Sequence, residues 1–174
     1  MEESYQYENG KLARYVYNQL QMKEGGFINI RDKKVKFEFT KEGKTNSDEE
    51  DEPDDIMIAD LIGPFIQKNW VALHDKEDTV HTRYLVLERQ DTFGFKFFMD
   101  GERPCEKNTC VRIMMKPSSI FISALVEPIS ILVEKNAPHA VKEIDGRLPI
   151  RIPEVPNPKS RKDYRALDAI LVLE

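Results

Sequence analysis

The chain has 174 residues, of which 40% are apolar and 33% charged, and its formal net charge is −5. That length supports one substantial core and leaves little for two, and a near-balanced charge lacks the global basic field on which non-specific nucleic-acid binding depends. The acidic start, Met1-Glu2-Glu3-Ser4, has no apolar region of signal-peptide type, and no stretch reaches the roughly 20 apolar residues of a membrane span, so a soluble, non-secreted protein is expected.

The charge is unevenly placed. Residues 1–44 carry a net +2, residues 45–56 carry −7 and residues 57–174 carry none. The run Asp48-Glu49-Glu50-Asp51-Glu52-Pro53-Asp54-Asp55 must sit in water, and it reads as an acidic disordered loop over residues 45–55.

In chain order, Leu12, Val16 and Leu20 recur at four-residue spacing, which predicts an amphipathic helix over about residues 8–23, ended by Gly25-Gly26. Phe27, Ile28 and Ile30 then precede Arg31-Asp32-Lys33, and Val35, Phe37 and Phe39 alternate with Lys34, Lys36 and Glu38, the pattern of a hairpin with one wet face. Beyond the acidic run, Asp54 or Asp55 is placed to cap a second helix with Ile58, Leu61, Ile62, Phe65 and Ile66 as its stripe. Gly63-Pro64 inside that stripe predicts a kink or two short helices.

From Val80 the period changes to two. Val80–Leu87 and Phe93–Phe98 read as a hairpin about Arg89-Gln90-Asp91, Asp100-Gly101 as a further turn, and Val111, Ile113 and Met115 as the next strand. The apolar stretch from Ile120 to Val133, cut by Pro128, predicts two buried strands, Ile120–Val126 and Ile129–Val133, with a helix as the alternative. Asp145-Gly146 reads as the turn of another hairpin. Pro153–Pro158 followed by Lys159-Ser160-Arg161-Lys162 reads as an exposed connector, with docking linker or weak nuclear-import signal as its functional reading, and Ala169–Leu173 as a docked C-terminal strand or short helix. The expected fold class is therefore α+β: two N-terminal helices and a mostly antiparallel sheet of six or more strands. Residues 1–44 form a helix-plus-hairpin lobe, 45–55 the loop, and 56–174 a second lobe, joined with the first in one domain.

No catalytic or cofactor signature stands out. Cys105 and Cys110 with His74, His81 and His139 include the ligand types of a zinc site, but the spacing lacks the paired knuckles of structural zinc, and two reduced cysteines beside a turn are the plainer reading. They suit a reducing compartment, nucleus or cytoplasm. Cys105 or Cys110 with His139 would also serve a small hydrolase, although no nucleophile motif surrounds either cysteine. No glycine-rich phosphate loop is present.

The leading expectation is a non-catalytic, eukaryotic, intracellular adaptor or complex subunit acting by protein–protein contact, with neither cofactor nor metal. Ile58, Leu61, Ile62, Phe65, Ile120 and Ile122 are its candidate partner-binding residues. Ser47, immediately before Asp48-Glu49-Glu50, and Thr45 are candidate phosphosites for an acidophilic kinase. The alternative is an RNA or single-stranded DNA module whose face is Phe93, Phe95 and Phe97 with Lys96, Arg83 and Arg112. Against it, alternating phenylalanines on a hairpin are more often a core face.

Overall fold

A computed structural model describes residues 2–58, 61–105, 108–124, 126–153 and 164–172, with backbone only for 147–153, 164–169 and 171. The chain divides into two compact units, and each is described by itself. Unit 1 comprises Met1–Ile56, Leu85–Phe93 and Pro153–Tyr164; unit 2 comprises Met57–Tyr84, Gly94–Ile152 and Arg165–Glu174.

Unit 1 carries a five-stranded antiparallel meander whose spatial order follows the sequence: β1 (Glu2–Glu8), β2 (Lys11–Gln19), β3 (Glu24–Arg31), β4 (Lys34–Lys41) and β5 (Lys44–Asp51). Three of its four turns are built alike. Asn9-Gly10, Asp32-Lys33 and Glu42-Gly43 each place two successive residues at positive φ, as the tight two-residue hairpin turn requires. The expected hairpin about Asp32 is thus present. Ile28 and Val35, Phe37 and Phe39 are buried on one face, and the hairpin tip Leu87–Arg89 packs over β3 and β4, burying Leu85 and Leu87.

The expected N-terminal helix is overturned, because residues 11–19 are the strand β2, paired on both sides. The four-residue recurrence of Leu12, Val16 and Leu20 marks no shared face: Leu12 is buried, Val16 lies on the outer face, and Leu20 is 76% exposed beyond the end of β2. Gln6 pairs with Arg14 and Tyr7 with Leu12, so Ala13 is the extra residue of a bulge, which returns Leu12 to the face of Tyr15. Leu12, Tyr15 and Gln19 are buried at separations of three and four along an extended chain. Gly25-Gly26 ends nothing; it lies within β3, where a Cβ on Gly26 would come within 2.1 Å of the Glu38 carbonyl oxygen.

The disordered acidic loop is overturned as well. Lys44–Asp51 pairs with β4 over its whole length, Lys41 opposite Lys44 through to Lys34 opposite Asp51, and Asp48, Glu49 and Asp51 stay exposed because β5 is an outer strand of the sheet, while Glu50, opposite Val35, is half-buried. Lys34 Nζ meets Asp51 Oδ1 at 2.7 Å at the far end of this pairing.

Unit 2 is built on a seven-stranded sheet, six full strands and the two-residue β6 (Ile56–Met57), in the order β12-β11-β10-β9-β8-β7-β6. The others are β7 (Val80–Val86), β8 (Asp91–Cys105), β9 (Asn108–Pro117), β10 (Ile129–Glu134), β11 (Val141–Pro153) and β12 (Tyr164–Val172). The unit boundary falls within β7 and β8, whose joining ends belong to unit 1. Helix α1 (Ile62–Lys68) and a π-helical turn (Val71–Asp75) connect β6 to β7. Met57, Ile62, Ile66, Trp70 and Leu73 pack on Phe97, Val111, Ile113, Met115, Ile131 and Val133, which is the core.

Further expectations are corrected here. Asp54 and Asp55 precede β6 and cap nothing; α1 starts from Leu61 without a side-chain cap. The segment is two short helical pieces, α1 and the turn Val71–Asp75, which is one of the two outcomes expected, but Pro64 is not the break, because it falls in the first turn of α1, where its missing N–H has no intrahelical partner to lose. Asp100-Gly101 is a bulge inside β8, marked by the register shift between Met99 and Glu102, and Asp145-Gly146 lies inside the continuous β11. Of the two strands expected between Ile120 and Val133, the second is β10, while Ile120–Ser123 is the one-turn helix α2. The chain is therefore mostly β, not α+β with two N-terminal helices. The docked C-terminal segment is the outer strand β12, and the connector at residues 154–163 lies outside the described residues.

Candidate functional site

Parity along β8 and β9 decides which side chains can meet a ligand. Phe95, Phe97 and Met99 oppose Pro117, Met115 and Ile113 and form the face covered by α1; Lys96 and Phe98 oppose Lys116 and Met114 on the reverse face. Phe97 is fully buried and its ring lies 4.9 Å from Phe65, while Phe95 lies against Tyr84 at 5.5 Å. The candidate nucleic-acid face is thereby split. Phe95 and Phe97 belong to the core side, whereas Lys96, Arg112 and Arg83 stand on the other.

The reverse face carries one aromatic of the Phe93–Phe98 run. Phe98 is half-buried with Lys116 Nζ 5.1 Å from its ring centre. Arg83 is exposed on the same side, its Nη1 3.9 Å from the point where a Cβ on Gly94 would lie. Ser118 follows, its Oγ 3.4 Å from His81 Nδ1. Arg112 is placed there too, with its Nε 3.1 Å from Asp100 Oδ2. Phe93 is half-buried near the hairpin tip grouped with unit 1.

The candidate partner-binding residues also divide. Ile58 and Ile62 are buried, and Leu61 and Phe65 pack against the core, so this face already has its partner within unit 2. Ile120 and Phe121 are 84% and 86% exposed on α2, with Val126 exposed beyond them and Ile122 half-buried. The local chain explains the display. Pro117 ends β9, Ser123 Oγ donates to the Pro117 carbonyl at 3.1 Å, and the resulting single turn is held by its own backbone with its apolar side outward.

Ser47 and Thr45 are exposed on β5, opposite Glu38 and Thr40, and the Thr45 and Thr40 hydroxyls lie 2.8 Å apart. On the outer face of this sheet Val16, Leu20, Lys23, Gly25 and Phe27 line an open depression of about 450 Å3, with Arg14 stacked 5.0 Å over Phe27.

Cys105 and Cys110 are joined in a disulfide, Cα to Cα 5.7 Å, which corrects the expectation of two free thiols. The five-residue separation that fits no zinc knuckle fits a bridge across the end of the β8–β9 hairpin. Neither sulfur is a nucleophile in that state. Two of the histidines have separate company: His74 and His139 both stack on Trp70, at 5.0 and 3.9 Å, with His74 Nδ1 2.7 Å from Asp75 and His139 Nδ1 3.3 Å from the Glu134 carbonyl. Among the described residues no group of three or more His, Cys, Asp or Glu is arranged to hold a metal ion, and no helix is long and apolar enough to cross a membrane.

Comparison with protein-family models, curated proteins and solved structures yields no match to this chain.

Proposed function

We propose that the protein is a non-catalytic adaptor or complex subunit that binds a protein partner through α2. The observation that carries this reading is the pair Ile120-Phe121, adjacent in sequence and more than four-fifths exposed, on a turn that projects from the end of a packed sheet. A large aromatic held in water without a core role loses the apolar burial it would gain in a partner's pocket, and such side chains dominate interface energetics. Ile58, Ile62 and Phe65 are withdrawn from the interface, since exposing them would open the core of unit 2. Nucleus or cytoplasm remains part of the proposal on the strength of the acidic tract alone, because the cysteines, being joined, no longer support it.

The test is co-purification of tagged full-length chain with its partner, comparing wild type with Phe121→Ser and Ile120→Ser. A stoichiometric protein recovered with wild type and lost with either variant, at unchanged thermal stability, supports the reading. A monomer at every salt concentration, or a partner retained by both variants, ends it.

A further inference from the structure

We propose that the reverse face of β7, β8 and β9 in unit 2 binds single-stranded nucleic acid, with the phosphates held by Lys96, Lys116 and Arg83 and a base stacked on Phe98. The site differs from the one the alternating phenylalanines suggested, because the rings of Phe95 and Phe97 are spent on the core. Three observations converge on it.

First, Lys96 and Lys116 are directly opposite across β8 and β9. Like charges in that relation destabilise a sheet unless an anion lies between or above them. Among the described residues neither ammonium has a carboxylate within ion-pair distance, although Lys34, Lys135 and Lys142 all do.

Second, the next cross-strand pair is Phe98 and Met114, so an apolar platform adjoins the cations at one row's distance. Lys116 lies over the Phe98 ring at 5.1 Å, and a base arriving on that ring would release the ammonium toward its own phosphate. A ring bordered by cations on a sheet face is the arrangement single strands use, since every base offers a π-face and no groove is needed.

Third, the charge is polar across the face. Arg83 extends the positive side onto β7, whereas on the described part of β11 Glu143 and Asp145 stand opposite Leu132 and Ser130 of β10 and put two carboxylates on the far side. A polyanion is therefore confined to β7–β9, over which two or three nucleotides fit. The closed width of duplex DNA offers no stacking face to Phe98, so single strands are preferred.

The experiment is fluorescence anisotropy with the full-length chain and fluorescein-labelled oligothymidylate or oligouridylate of about twelve nucleotides at low ionic strength, titrated with salt. The expected result is saturable binding that weakens with salt. Lys96→Gln/Lys116→Gln should bind about tenfold more weakly or worse, with the slope of log affinity against log salt reduced by about 1.4, two phosphate contacts at roughly 0.7 each. Phe98→Leu keeps every charge and should lose about tenfold with the slope unchanged, and Lys76→Gln, in the turn that follows Val71–Asp75, should behave as wild type. Far-ultraviolet dichroism checks that each variant is folded. The proposal is overturned if wild type does not bind either strand, if the double variant or Phe98→Leu binds as wild type does, if duplex binds as tightly as single strand, or if a poly-glutamate peptide of equal charge competes equally, which would assign the face to an acidic protein segment.

Discussion

At the scale of single residues, the most constrained position is Gly26. Its Cβ would lie 2.1 Å from the Glu38 oxygen and 2.9 Å from the Phe39 Cα, both backbone atoms that cannot swing aside. Gly26→Ala must therefore separate β3 from β4, and we expect a loss of about 1–3 kcal/mol in urea unfolding, the usual cost of overpacking. A variant as stable as wild type would show that β3 and β4 approach less closely. The Glu102 carboxyl is held below the ordinary carboxylate range chiefly by the hydrogen bond from Lys135, with the Lys135 and His74 charges adding and desolvation opposing. A depressed carboxylate stabilises the fold above its unfolded-state value, and that contribution is lost as pH falls through the lower folded-state value. The stability difference between wild type and Lys135→Met should accordingly be present at neutral pH, shrink once the pH falls below the ordinary carboxylate range and vanish below the depressed folded-state value, read as converging melting temperatures. Because both partners are about two-fifths exposed, the difference is small.

At the scale of elements, the strands with strict alternation were legible: Val35-Phe37-Phe39 and Val111-Ile113-Met115 each put every second residue inside, and so does the structure. β2 was not, because the bulge at Ala13 interrupts its period of two, and the helix drawn across residues 8–23 overran Asn9-Gly10, a hairpin turn signal that local chemistry alone could have read. β5 was hidden for another reason. Its eight residues, Lys44–Asp51, hold no large apolar side chain, so composition points to disorder while the ladder of β4 supplies the pairing. The candidate site was legible in part. Lys96 and Ile120 lie outside the core, as their candidate roles require, but choosing between Phe97 and Phe98 requires knowing which face α1 covers, a tertiary fact.

β5 also corrects what the acidic tract can be asked to do. Removing residues 45–52 would not trim a loop; it would bare the backbone edge of β4, beside Val35, Phe37 and Phe39, and we expect aggregation visible by light scattering. Phosphorylation of Ser47 would place about two negative charges opposite Glu38 and near Glu49, where like charges weaken pairing by about 0.2–1 kcal/mol. Ser47→Glu should speed amide hydrogen exchange in β5 with little change elsewhere. Unaltered β5 protection would remove this regulatory role.

At the scale of the whole molecule, both sheets have spatial neighbours that are also sequence neighbours, with α1 between β6 and β7 and α2 between β9 and β10. Unit 1 is nonetheless not a contiguous piece of chain. Its inner face is covered by Leu85 and Leu87 from the distant hairpin tip. A fragment ending at residue 56 should therefore lack part of its core and give the collapsed amide dispersion of an unfolded chain by NMR; a well-dispersed spectrum would show that five strands suffice.

The stacking of His74 and His139 on Trp70 has an optical consequence. Trp70 is the chain's only tryptophan and sits in the core of unit 2, whereas Tyr5, Tyr7, Tyr15 and Tyr17 all belong to unit 1. Nature has given each unit its own chromophore, so excitation at the red edge reports unit 2 alone while tyrosine absorbance is weighted toward unit 1. Two unlabelled signals can thus reveal whether the halves of this molecule melt together or in turn.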